Sequence, residues 1–183
     1  MFIVLESCEH RQVIPDKEEI TKIIAETIKQ DSLDNKIFIN LNLVNRYSYQ
    51  PDSDRMLRNF PPPPRNEKGE PFLFYYFKSD KENLLGLNQL DSTFVLEQIA
   101  INKDISLVLK LLPNNYKYKK NPVFKYKDAK MYQFLIPIFN KKNDFAIVEY
   151  ESVCPGCGYG RIVYLKKIKG KWIKVDTFHT WQS

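Results

Sequence analysis

The sequence predicts an α+β fold: a single domain built on a twisted antiparallel sheet, with one or two helices packed against it. Three observations carry this expectation. From Met131 to Ser183, the runs MYQFLIPIF, DFAIVEYESV, RIVYLKKI and KWIKVDTF follow one another with only short turns, the pattern of a four-strand antiparallel meander. The chain holds 11 Tyr and 12 Phe, side chains suited to a pleated, half-buried surface. Its 183 residues, 43% of them hydrophobic, suffice for one core, and no stretch reads as a linker between two. Residues 1–15 read as an N-terminal segment and residues 16–183 as the domain.

Met1 to Leu5 (MFIVL) is apolar, too short to span a bilayer, and has no basic start. LESC, ending in Cys8, resembles the lipobox of bacterial lipoproteins, in which that cysteine is lipidated. A chain begun at an internal Met would have lost the rest of such a signal. The alternative is a short first strand with Cys8 as a buried small hydrophobe.

Asp16 to Gln30 reads as an amphipathic helix. Ile20, Ile23, Ile24, Thr27 and Ile28 fall on one face, Pro15 and Asp16 suit the start, and Lys29 suits the last turn. Ile37, Ile39, Leu41 and Leu43 then alternate as in a half-buried strand. Asn45 to Glu70 predicts a long surface loop, in which Pro61 to Pro64 is a stiff connector or a ligand for an aromatic-lined groove. Phe72 to Lys78 returns to strand. Asp91 or Ser92 caps a helix whose body includes Glu97 and Gln98. Ile105 to Leu112 fits helix or strand equally, and Asn114 to Lys130 predicts a basic loop interleaved with tyrosine. In the last hairpin Gly170 supplies the turn. Ile173 and Val175 are expected to face inward, with Trp172 across a neighbouring strand.

Charge is unevenly spread. Residues 1–34 hold eight acids and four bases, whereas residues 110–183 hold fifteen bases and five acids. A surface of this kind attracts anionic partners. Arg161, Lys166, Lys167, Lys169, Lys171 and Lys174 form the candidate partner-binding face, with an acidic protein as the expected partner. Nucleic acid is not favoured, because Lys supplies the charge almost alone. A membrane enters only through a lipid anchor on Cys8.

Cys154-Pro-Gly-Cys157 is the one spacing with chemical meaning, and three readings stand. A thioredoxin-type site needs a helix after the first cysteine, but GYGRIVYL reads as turn and strand. A zinc knuckle needs two further ligands, for which only Cys8, His10 and His179 are available. A disulfide across the hairpin tip needs an oxidising compartment, in agreement with a lipidated Cys8, which would leave no cysteine unpaired. No cofactor is otherwise expected. No HExxH, GxSxG or phosphate-cradling glycine loop is present. A hydrolytic site would have to draw on Glu149, Glu151 or His179.

The C-terminal half is similar to a group of uncharacterised bacterial proteins, many with lipoprotein-type N-termini. The shared features are a strand ending Pro137-Ile138-Phe139, a small residue at Ala146, the tip Cys154, Gly156, Cys157 and Gly158, then Gly170-Lys171-Trp172, and Trp181 with Ser183. The helix at Asp91 to Gln98 fits loosely. The resemblance implies an exported location and the fold, but no activity. It departs at the tip, where CPGCG replaces a CG…CG arrangement. The expected function is that of a non-enzymatic, exported or envelope-associated binding protein, such as an immunity or inhibitor protein. A metal-stabilised cytoplasmic module using the cysteine pair, and a hydrolase with an unrecognised site, are the alternatives.

Overall fold

The computed structural model describes residues 14–45, 94, 97–98, 101, 104–120, 130–154 and 157–182, and of Phe178 and Trp181 the backbone alone. Expectations placed on Cys8, His10, the proline run, Phe72 to Lys78 and the Trp181 side chain lie outside the described residues.

Helix α1 spans Lys17–Gln30, as its periodicity predicts. Asp16 caps it, accepting the Glu19 amide at 2.8 Å, and Glu18 and Glu19 complement the positive end of the helix dipole. Its apolar face, Ile20, Ile23, Ile24 and Ile28, is fully buried. Thr21 and Thr27 are also buried, and each returns its hydroxyl to the carbonyl four residues back, so neither brings an unpaired polar group into the core.

The helix lies on a sheet of seven strands: β1 (Phe38–Asn40), β2 (Lys117–Lys119), β3 (Met131–Phe134), β4 (Ile138–Phe139), β5 (Phe145–Cys154), β6 (Cys157–Ile168) and β7 (Lys171–Gln182). Their order is β2-β1-β3-β5-β6-β7, with β4 also paired to β5. The C-terminal part is antiparallel, as expected. The first expected strand of the meander is divided into β3 and β4 around Ile136 and Pro137, because proline cannot donate to a ladder.

Three expectations are corrected. The sheet is mixed, since β1 runs parallel to both β2 and β3. Part of the expected basic loop is strand β2: Tyr116 and Tyr118 direct their hydroxyls to backbone carbonyls of Leu33 and Pro113, while Lys117 and Lys119 stand over the Phe38 ring. Those tyrosines are thereby committed to packing. Ile105 to Leu112 is neither regular helix nor long strand. Ser106 makes a single bridge to Asn42, and Leu109–Leu111 forms a 3-10 turn.

On the helix side of the sheet, Ile39, Tyr132, Phe134, Ala146, Val148, Tyr150, Val163, Leu165 and Trp172 join the isoleucines of α1 in one core. Ile147, Ile162 and Tyr164 are buried on the opposite side. Phe94, Glu97, Gln98 and Ile101 are helical, and the buried Gln98 amide satisfies both backbone groups of Phe139 at 2.8 and 3.0 Å.

Candidate functional site

The basic residues of β6 and β7 fall into two sets, separated by the two-residue period of a strand. Arg161, Lys167 and Lys174 point toward α1. Lys166 and Lys171 point away from it, and Lys169 sits in the turn between the strands.

The inward set is spent on two acids of the helix. At its C-terminus the Asp31 carboxylate, 2% exposed, accepts Arg161 Nη1 and Lys174 Nζ, each at 3.0 Å, and the Tyr150 hydroxyl. Burial alone would raise the Asp31 carboxyl. The hydrogen bonds from Tyr150, Arg161 and Lys174 outweigh it and hold the group below its ordinary value of 3.8. The same contact, added to burial, pushes the Tyr150 phenol far up. Arg161 Nη2 donates to His179 Nε2 at 2.9 Å, because a guanidinium has no acceptor. Near the helix start, Glu19 Oε1 accepts Lys167 Nζ at 2.8 Å and the Trp172 indole N–H at 3.0 Å. Burial opposes ionisation there too, and Lys167 and Trp172 overcome it, so the Glu19 carboxyl lies below 4.5. Between these anchors the Gln30 amide donates to the Trp172 carbonyl and accepts the Lys174 amide, occupying the outer edge of β7 as a strand would.

This arrangement corrects the expectation for β7. Trp172 is the inward residue, packed edge-on to Phe139 at 5.9 Å, while Ile173 and Val175 are 40% and 48% exposed. Strict alternation puts Ile173 opposite to Trp172, and Val175 occupies a bulge between the Leu165–Lys174 and Tyr164–Asp176 pairs. WIKV offers apolar residues in both phases, so the pattern alone does not fix the face. The indole N–H on Glu19 does.

The outward set shares the open end of the β6–β7 hairpin with aliphatic side chains. Lys166 pairs with Ile173 and Ile168 with Lys171, so these four occupy the face away from α1. All four are exposed, Ile168 by 46% and Ile173 by 40%. Pairing of β5 with β6 ends at Phe145 and Lys166, so Ile168 to Lys171 projects beyond the β5 ladder. Lys169 and Gly170 turn the chain with φ of 50° and 77°, both left-handed as a tight I′-type turn requires. Among the described residues no carboxylate pairs with Lys166, Lys169 or Lys171.

At the other end of β6, Cys154 and Cys157 are disulfide-bonded with Cα atoms 5.2 Å apart, closing the β5–β6 hairpin at their paired positions. With both sulfurs joined, the pair offers no thiolate to a metal. Among the described residues no group of three or more His, Cys, Asp or Glu is placed to hold an ion. Glu149 and Glu151 flank Tyr150 and so face away from α1, whereas His179 contacts Arg161 on the α1 side. The sheet therefore separates the residues on which a hydrolytic site would draw. The sequence reading missed Asp31, Glu19 and Tyr150. The one available signal was an acid just past the helix C-terminus, where the dipole disfavours it without basic partners. Among the described residues no helix is long and apolar enough to cross a membrane.

The fold and these sites define an α+β domain with an ion-paired helix and an open basic hairpin. No family model, curated protein or solved structure matches the chain.

Proposed function

We propose that this protein is a non-catalytic, exported and envelope-associated binding protein whose recognition surface is the open end of the β6–β7 hairpin. The observation that carries the reading is the division of its bases: Arg161, Lys167 and Lys174 are held by Asp31 and Glu19, and Lys166, Lys169 and Lys171 are exposed beside Ile168 and Ile173. Charge with no carboxylate partner among the described residues, next to exposed aliphatic surface, suits an acidic partner. The disulfide supports export, since such bonds persist in oxidising compartments.

Titration of isotope-labelled protein with polyglutamate, followed by amide NMR shifts, tests the reading. Shifts concentrated between Lys166 and Val175 are expected, and they should vanish at high salt. Shifts spread evenly over all exposed lysines, or centred on Lys117 and Lys119, would remove the hairpin end as the recognition surface.

A further inference from the structure

We infer that the acidic partner of the hairpin end is an anionic lipid surface, an inference that rests on reading this end as the recognition surface. Four features favour lipid over an acidic protein. The first is composition. Protein interfaces concentrate Trp, Tyr and Arg and are depleted in Lys, whereas the exposed outward side chains described at this end are Lys, Ile and Val. Lysine suits a bilayer interface, because its aliphatic stem lies along apolar surface while the ammonium stays among headgroups.

The second is size. Among the described residues, six side chains, Lys166, Ile168, Lys169, Lys171, Ile173 and Val175, make up the patch, while a standard protein interface engages roughly 20 to 30 residues on each side. The third is shape. The turn projects beyond β5, so Lys169 at its tip reaches the headgroups first, with the cross-strand pair Ile168 and Lys171 just behind it on the face away from α1. The fourth is the backbone. Lys169 occupies a left-handed conformation where Asn, Asp or Gly is usual, so a cation stands at the tip despite local strain.

The test is co-sedimentation of the full oxidised chain carrying Cys8→Ser, so that no acyl group contributes. It uses phosphatidylcholine vesicles with and without phosphatidylglycerol. Binding is expected only with phosphatidylglycerol, weakening as salt rises. Lys169→Gln/Lys171→Gln should weaken it by about 25-fold, from roughly fivefold per charge. Ile168→Ser/Ile173→Ser should lower the binding that remains at high salt. All four positions are exposed, so unchanged thermal unfolding shows that the variants fold. Failure to bind either vesicle while hairpin-localised polyglutamate binding persists overturns the lipid inference and leaves the recognition surface standing. Equal binding to both vesicles also overturns it. Binding to neither polyglutamate nor vesicles overturns both readings.

Discussion

The Asp31 carboxylate at the end of α1 meets the Arg161 guanidinium of β6 at 3.0 Å, joining residues 130 positions apart. Asp31 stands at the negative end of the helix dipole, where a second negative charge is unfavourable, and it is nearly inaccessible to water. Arg161, Lys174 and the Tyr150 hydroxyl make that placement tolerable. Removing the acid leaves two partly buried cations facing a helix C-terminus. Asp31→Ala should therefore cost about 3 kcal/mol, at the low end for a broken buried pair because both bases keep about a quarter of their surface exposed. Urea unfolding measures it. Glu19→Gln, at a more open site, should cost only about 1 kcal/mol. Equal costs would mean that Asp31 is not the principal anchor of α1.

Both carboxyls ionise more readily folded than unfolded, which fixes the sign of the acid dependence. Their contribution is complete above the ordinary values of 3.8 and 4.5 and is lost as pH falls through the lower folded-state values. The wild-type unfolding midpoint should decline steeply below about pH 5, and Asp31→Ala should flatten the decline. An unchanged slope in the variant would place the acid sensitivity elsewhere.

At the hairpin tip, Gly170 has φ of 77° with nothing within 4 Å of where a Cβ would stand. Gly170→Ala therefore meets no clash and should cost about 1 kcal/mol from backbone strain alone. Lys169→Asn removes strain at φ 50° and should raise the unfolding temperature slightly while weakening anion binding. Stability and binding moving in opposite directions is the signature to look for in paired melting and binding curves.

The Cys154–Cys157 bond closes a loop of only a few residues, so its loss should cost at most about 2 kcal/mol. The Cys154→Ser/Cys157→Ser double variant should remain folded and lose little binding, because the pair lies at the opposite end of β6 from Lys166 and Ile168. Intact mass before and after reduction should differ by two hydrogens. Stoichiometric zinc in freshly purified protein would contradict the disulfide.

Local pattern made much of this fold legible. Helix α1 announces itself through its isoleucine spacing and the Asp16 cap, and β5 to β7 through successive strands with short turns, because neighbours in sequence are neighbours in space there. The parallel pairs of β1 were hidden, since Phe38 meets Lys117 and Met131 across long intervals that leave no periodic trace. The candidate site was half legible. The six bases were visible, but their division was not, because it depends on which face of β7 meets α1. A bulge at Val175 and one indole hydrogen bond to Glu19 settle that.

The central claim is that the outward bases at the hairpin end bind and the inward ones hold the fold. The salt concentration needed to elute the protein from immobilised polyglutamate tests it most directly. Lys166→Gln/Lys169→Gln/Lys171→Gln should elute at much lower salt than wild type, whereas Lys17→Gln/Lys110→Gln/Lys130→Gln, which removes as many exposed charges elsewhere, should elute close to it. Coincident elution of the two triple variants would contradict the account, because net charge alone would then explain retention.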